Sequence, residues 1–594
     1  MAIDHGSEPR RRDTSQYLLP GVTLCCFMLL LLRLWYLQVV RGEELSRLAA
    51  ANRTISVPIP SPRGQVVDRS GRVLAAVKPT LAAMVTPKEI ADDAAAIQKL
   101  ARLLHLPPDD LKEDIQENLY RGYLPFPAKV GLTPEEAVAV EEQRAFLPGV
   151  FVRMHSIRSY PRGRAFAHVL GYVSGLDQED VERLTQADKP LPTFVGKVGV
   201  EFSRDFELMG IPGAESIEVD RAGRPLRPRE TRAPLPGNKL TLTLDASLQE
   251  AAIRALAGKR GAVVAIQPST GEVLCMVSTP SYDPNWFARK ITRAEWNSLA
   301  NDLRLPMQNR ALSSAFAPGS TFKPITLIAA VRAGLVSPGT TFVCTGSIMV
   351  GNQRFRCLGH HGRVNYETAV EKSCNVFFYE LARRLDRQSI VQVAQQFGLG
   401  DRVGIEIRGE RRGTLPTDEF VHSRNLQWYR GDTLNLGIGQ GYLEVTPLQM
   451  AAYACALANR GVAYAPILVK ASTPPGNSPP PAPTESPVRL SVDLSQQWWD
   501  RVVRAMVRVV DSGSGVRAQI SGVRVAGKTG SAEHGADQRP HAWFIGFAPA
   551  TNPEIAIVVV VEEGGRGGTE AAPVAGDVMK AYFAGRNAAS ARSR

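Results

Sequence analysis

The stretch "YLLPGVTLCCFMLLLLRLWYLQVV", residues 17–40, narrows the available folds more than any other part of this chain. It is long and apolar enough to cross the roughly 30 Å hydrocarbon layer of a membrane, for which about 20 residues suffice as helix. Arg10, Arg11 and Arg12 precede it. Positive charge is retained on the cytoplasmic side, so residues 1–16 are expected in the cytoplasm and everything after residue 40 outside it. Arg33, Trp35 and Tyr36 fall toward the far end, where a long cationic stem and amphipathic rings suit the headgroup belt. A cleaved signal peptide would have a shorter apolar run and a small-residue cleavage site. Neither is present, so the segment reads as an uncleaved single-pass anchor.

Beyond the anchor the chain has the composition of folded protein, 44% hydrophobic and 22% charged overall. Its net charge of +12 suits an anionic membrane or polymer. No nucleic-acid motif accompanies the charge, so no nucleic-acid partner is expected. Residues 41–235 hold hairpin signals, such as "QVVD" and "RVLAA" around Arg69-Ser70-Gly71, and a capping box in which Thr133 and Glu136 start a helix. Arg63, Asp68 and Arg69 read as buried or paired structural charges. With no grouping of nucleophile, base and acid, this region reads as an elongated α/β pedestal. A second domain is expected over 240–585. There Asp245 caps an amphipathic helix, and apolar strand pairs occur at both ends ("GAVVAIQPSTGEVLCMVS" and "HAWFIGFAPATNPEIAIVVVV") around helix-rich sequence. Strands so far apart in the chain predict one sheet closed by distant segments, an α+β fold. Dense proline makes residues 472–489 an extended loop within that domain.

Three short motifs carry chemistry. In "APGSTFKP", Ser320 and Lys323 lie one helical turn apart behind Gly319, which permits a sharp corner. The N–H groups at a helix start suit an oxyanion, and a lysine shielded from water can act as base to a serine. The spacing alone arises about twice by chance in a chain of this length, given ordinary residue frequencies. "KSCN" places Ser373 and Asn375 at the head of an apolar helix, and "GKTGS" places Lys528, Thr529, Gly530 and Ser531 on a strand before the last hairpin. Lys528 and the hydroxyls offer a carboxylate site. Gly530 leaves room for a substrate backbone.

This trio, in this order, resembles that of the penicillin-binding proteins. With "PRGQVVDRSGRVLA", "VGKVGVEFSRDFE", "GIGQGYLEVTPLQM" and "HAWFIGFAP", the chain after residue 30 is similar to a class B penicillin-binding protein, closer to the elongation type than to the septal type. The resemblance implies a dimerisation-like pedestal over 41–235. It also implies a transpeptidase domain with a five-stranded antiparallel sheet flanked by helices, plus a helical subdomain. The implied activity is peptidoglycan cross-linking. Ser320 attacks the carbonyl between two terminal D-alanines of a stem peptide, Lys323 takes its proton, and the Ser320 and Ser531 N–H groups hold the oxyanion. Ser373, with Lys323 and Lys528, passes a proton to the departing D-alanine. Asn375 binds the peptide amide, and Thr529 and Ser531 bind the terminal carboxylate. The implied partners are stem peptides, β-lactams that trap Ser320, the membrane, a polytopic SEDS-type glycan polymerase and other elongation-complex proteins. A septal transpeptidase, a β-lactam sensor or an inactive scaffold that regulates a polymerase are the competing readings.

Cys344, Cys357, His361 and Cys374 succeed one another in "FVCTGSIMVGNQRFRCLGHHGRVNYETAVEKSCN". Three thiolates and an imidazole make a closed tetrahedral zinc set. The resemblance carries a structural zinc site with mixed ligands onto these positions, with thiols in place of carboxylates and His360 able to stand in for His361. A Cys344–Cys357 disulfide with Cys374 as a free thiol is the other reading, favoured by an oxidising compartment. His541 reads as a strand anchor and not a base, and Glu533 is not required as an acid.

Overall fold

The structure is a computed structural model and describes residues 15–45, 54–220, 225–476, 486–535 and 538–592. The expected tail thus lies almost wholly outside the described residues, as do positions 477–485 of the proline-rich stretch. That stretch is shorter as a loop than the sequence suggests, because strands Val469–Thr473 and Val488–Ser491 take up its two ends. The former pairs into a sheet and the latter with Val462–Tyr464, so backbone pairing outweighs local composition there.

The N-terminal helix Ser15–Trp35 continues as a π-helical turn over Tyr36–Val40. The span Leu18–Val40 is long and apolar enough to cross a membrane, and none of it is buried against the rest of the chain. No internal surface competes for its side chains, consistent with a single-pass anchor.

In the pedestal, strand Val66–Val67 turns back on the long strand Val73–Val85, which pairs in turn with Phe126–Val130 and Val150–Ser159. Helices Ala94–Leu103, Pro108–Glu117 and Pro134–Glu142 close this sheet over Leu100, Leu111, Ile115 and Val140. The Thr133–Glu136 capping box forms as expected. The two pedestal arginines are paired and the aspartate is buried. Arg63 meets Glu201 at 2.6 Å and Asp205 at 2.8 Å, Arg69 meets Glu272 at 2.9 Å, and buried Asp68 accepts from the Ser70, Arg72 and Ala246 N–H groups. Burial alone would raise the pKa of Glu201, but Arg158 and Arg63 outweigh it and hold it as carboxylate.

The pedestal sheet does not stop at the pedestal. Val66–Val67 pairs in parallel with Lys239–Leu242, which pairs with Val469–Thr473, so one sheet runs through both halves of the chain. Asp245 caps helix Ala246–Leu256 through the Ser247 and Leu248 N–H groups. The second domain is built on a five-stranded antiparallel sheet. From one edge to the other its strands are Val273–Thr279, Gly261–Ile266, Ile555–Val561, His541–Ala548 and Ala526–Ala532. The inner strands are apolar on both faces because helices cover both: Ala246–Leu256 and Gly567–Arg592 on one side, Pro447–Ala458 on the other. The strand with the lysine-threonine-glycine motif is an edge. Its outer side faces the turn that carries Ser320.

Candidate active site

Ser320 sits in a 3₁₀ turn, Gly319–Phe322, that runs straight into the helix Lys323–Arg332. In that geometry residues i and i+3 eclipse, which brings Ser320 and Lys323 to one side. Pro318 and Gly319 make the corner, with Gly319 at φ +54°, a conformation that favours glycine. The Gly319 N–H donates to Gly439 O at 2.9 Å, and a Cβ at Gly439 would lie 2.2 Å from Gly319 O. The central glycine of "GIGQG", Gly439, therefore serves the close seating of the serine turn.

Lys323 and Lys528 are both fully buried and converge on one hydroxyl. Lys323 Nζ donates to Ser373 O at 2.8 Å, to Ser373 Oγ at 3.2 Å and to Asn375 Oδ1 at 2.7 Å. Lys528 Nζ donates to Ser373 Oγ at 3.0 Å and to Thr529 O at 3.0 Å. Asn375 is fixed further by donating from Nδ2 to Arg356 O at 3.1 Å. Ser373 takes a left-handed backbone, φ +54°, which turns its carbonyl and hydroxyl toward the same ammonium. Ser320 is half-buried, and among the described residues its Oγ makes no hydrogen bond. The side chains of residues 323, 373, 375 and 528 thus form one network, with Ser320 beside it on the turn that opens the Lys323 helix.

Burial pushes Lys323 down to about 7, with Cys357 and Cys374 working weakly the other way. Burial, and then the charge of Lys323, pushes Lys528 well below its ordinary value. Two ammonium groups donating to one hydroxyl out of reach of water repel, so the pair favours a state with at least one neutral amine near neutrality. A neutral amine next to a serine is what general-base chemistry needs.

Thr529 is buried and its hydroxyl lies 2.6 Å from that of Ser514; Ser531 is exposed, and its Oγ accepts from the Gly567 N–H at 3.3 Å. At Gly530 a Cβ would lie 2.8 Å from Pro318 O and 3.0 Å from Thr321 Cγ2, so its small size lets the serine turn pack on one face of the edge strand. His541 is an anchor: its Nδ1 accepts from the Glu563 N–H at 3.1 Å, and its ring stands edge-on to Phe316.

Beside this network Cys344, Cys357, His361 and Cys374 bring their four ligand atoms within 4.8 Å of one another. Zinc–sulfur bonds of about 2.3 Å and zinc–nitrogen bonds of about 2.0 Å at tetrahedral angles give edges of about 3.8 Å for S···S and about 3.5 Å for S···N. The Cys357–Cys374 sulfurs are 3.8 Å apart, and His361 Nδ1 is 3.5 Å from both Cys344 Sγ and Cys357 Sγ. The donor set fits a metal. His360 is not part of it: its ring fills the space that a side chain at Gly346 would need. None of the seven cysteines forms a disulfide. The hydrogen bond with Cys374 favours the thiolate at Cys357; burial opposes it, while the Val376, Gly359 and Asn375 backbone contacts add to the thiolate's hold. The Asn375 N–H lies 3.2 Å from that sulfur, so the cluster is joined directly to the Ser373–Asn375 loop.

The chain is similar to known proteins in sequence and fold. Residues 58–242 match the penicillin-binding protein dimerisation domain, and residues 261–580 the penicillin binding protein transpeptidase domain. The chain is 32% identical over 581 residues to the peptidoglycan D,D-transpeptidase MrdA of Escherichia coli K12, spanning 93% of this chain and 90% of that one. Penicillin-binding protein 2 of Helicobacter pylori, solved in complex with MreC, superposes with a TM-score of 0.76 at 25% identity, covering 90% of this chain and all (100%) of that one. A chain of a peptidoglycan synthase complex, solved to explain how polymerization and crosslinking are coordinated, gives 0.72 at 31% identity over 96% and 98% of the two chains. Both domains, in this order and over nearly the whole length of MrdA, place the chain in the class B penicillin-binding protein family, as a peptidoglycan D,D-transpeptidase of the MrdA type.

Proposed function

We propose that this transpeptidase works through an acyl-Ser320 intermediate in cell elongation, with residues 1–16 in the cytoplasm and the catalytic domain on the outer face of the cytoplasmic membrane. The observation that carries the chemical part is the meeting of Lys323 and Lys528 on Ser373 Oγ. Neutral Lys323 takes the Ser320 proton as Oγ attacks the penultimate D-alanine carbonyl. The Ser320 and Ser531 N–H groups stabilise the oxyanion. As the C–N bond breaks, Ser373 passes a proton, resupplied from the lysines, to the departing D-alanine nitrogen. An amine of a neighbouring stem peptide then attacks the acyl carbon and restores Ser320. Asn375 holds the donor peptide amide, and Thr529 and Ser531 its terminal carboxylate. A β-lactam acylates Ser320 by the same first step.

The elongation assignment draws on the MrdA similarity. The Helicobacter relative was solved with MreC, and the other with a synthase complex that polymerises as well as cross-links, which supports an elongation-complex protein and a SEDS-type polymerase as partners at the anchor and pedestal. Depletion in the native cell is expected to give rounded cells that still divide. Filaments with blocked septa would contradict it.

Zinc at Cys344, Cys357, His361 and Cys374 would fix the Ser373–Asn375 loop and take no part in the chemistry. Elemental analysis is expected to find one zinc per chain, and chelation to lower Tm by about 5 °C or more. A chain with no zinc and one disulfide by thiol titration would overturn the assignment.

A further inference from the structure

The turn Ser512–Gly515 is wedged between two catalytic motifs. On one side Ser512 Oγ donates to Glu371 Oε1 at 2.9 Å, Arg508 meets the same buried carboxylate at 2.6 Å, and a Cβ at Gly513 would lie 2.6 Å from Glu371 O. Glu371 is two residues before Ser373. On the other side a Cβ at Gly568 would lie 2.3 Å from Ser514 O, so the start of the C-terminal helix packs on the turn without a side chain between them. Held from both sides, the turn brings Ser514 Oγ within 2.6 Å of Thr529 Oγ1.

A hydroxyl has one proton and two acceptor sites. Thr529 can donate to a substrate carboxylate only if its own proton is not already spent on Ser514. We infer that Ser514 is a positioning residue that donates to Thr529 Oγ1 and thereby reserves the threonine proton for the terminal carboxylate of the donor peptide or of a β-lactam. The Gly567 N–H does the same for Ser531, occupying its Oγ as a donor at 3.3 Å. This pair of supports makes both hydroxyls of the carboxylate site donors before substrate arrives, which an unsupported hydroxyl pair facing each other would not be. The inference rests on the proposed role of Thr529 and Ser531 as the carboxylate site.

The test compares the second-order acylation rate constant for a penicillin bearing its free carboxylate with that for the methyl ester of the same compound. The unchanged chain is expected to prefer the acid. Ser514→Ala is expected to lose about tenfold toward the acid, the scale of one hydrogen bond to a charged group, and to change little toward the ester. Ser514→Thr is expected to restore the preference. Should Ser514→Ala melt early, Ser514→Cys, close in volume and a weaker donor, gives the same comparison. Equal losses toward both compounds, or none, would overturn the inference and leave the carboxylate site standing. A native chain that does not distinguish acid from ester would overturn the carboxylate site itself, and the inference with it.

Discussion

Ser320→Ala is expected to abolish labelling by a fluorescent penicillin while leaving Tm within about a degree of the unchanged chain. Covalent acyl transfer has no route without its nucleophile, and no other hydroxyl occupies the serine turn in the same way. Thr321 points inward, its Oγ1 donating to Pro318 O at 2.7 Å, and Ser373 Oγ is held by both lysines. The fold is expected to tolerate the change because Ser320 is half-buried and its hydroxyl makes no bond among the described residues. What shapes the turn is the Gly319 corner, the Gly439 contact and the Gly530 packing, and alanine alters none of them. Labelling should therefore drop to background on a gel loaded with equal folded protein. Persistent labelling would place the nucleophile elsewhere.

Lys323→Ala is expected to slow acylation by at least about 10²–10⁴, the usual contribution of a positioned general base. The lower bound applies because the same side chain also orients Ser373 and Asn375 through three hydrogen bonds. The unchanged chain should show the matching pH dependence. A lysine at its ordinary value near 10.5 would leave fewer than about one side chain in a thousand neutral at pH 7. Burial brings Lys323 down to about 7, so roughly half are neutral there. With the neutral amine acting as the proposed base, the acylation rate should rise with pH through about 7 and level off above it. A rate that is flat from pH 5.5 to 9, or that falls across this window, would contradict Lys323 as the base. Stopped-flow acylation over that range measures it.

Features fixed by local chemistry are readable in the sequence. The anchor comes from length and polarity, the Thr133–Glu136 box and the Asp245 cap from side-chain reach, and the hairpin at Arg69-Ser70-Gly71 from a glycine between alternating strands. The motif spacing also singles out Lys323, Ser373, Asn375 and Lys528, whose side chains meet only in the folded chain. Features that depend on distant partners are not readable. Val66–Val67 reads as one arm of the Arg69-Ser70-Gly71 hairpin, but nothing local shows that it also pairs in parallel with Lys239–Leu242 and so joins the pedestal to the catalytic domain. Gly530 packs against Pro318, over two hundred residues earlier, and nothing local to the glycine shows that contact. Ser514 lies in "DSGSG", which reads as an ordinary turn; only its distance to Thr529 sets it apart. The cysteine cluster stands between these cases, since residue types suggest ligands but only coordinates separate His361 from His360.

Three far-apart segments meet at Ser373 beside the Ser320 turn, and the most direct test of the proposed nucleophile is to find where an acyl group lands. The chain should be treated with a β-lactam, digested, and its peptides sequenced by mass spectrometry. One adduct is expected, on Ser320. An adduct on Ser373, Ser531 or any other residue, or none at all on folded protein, would contradict the account.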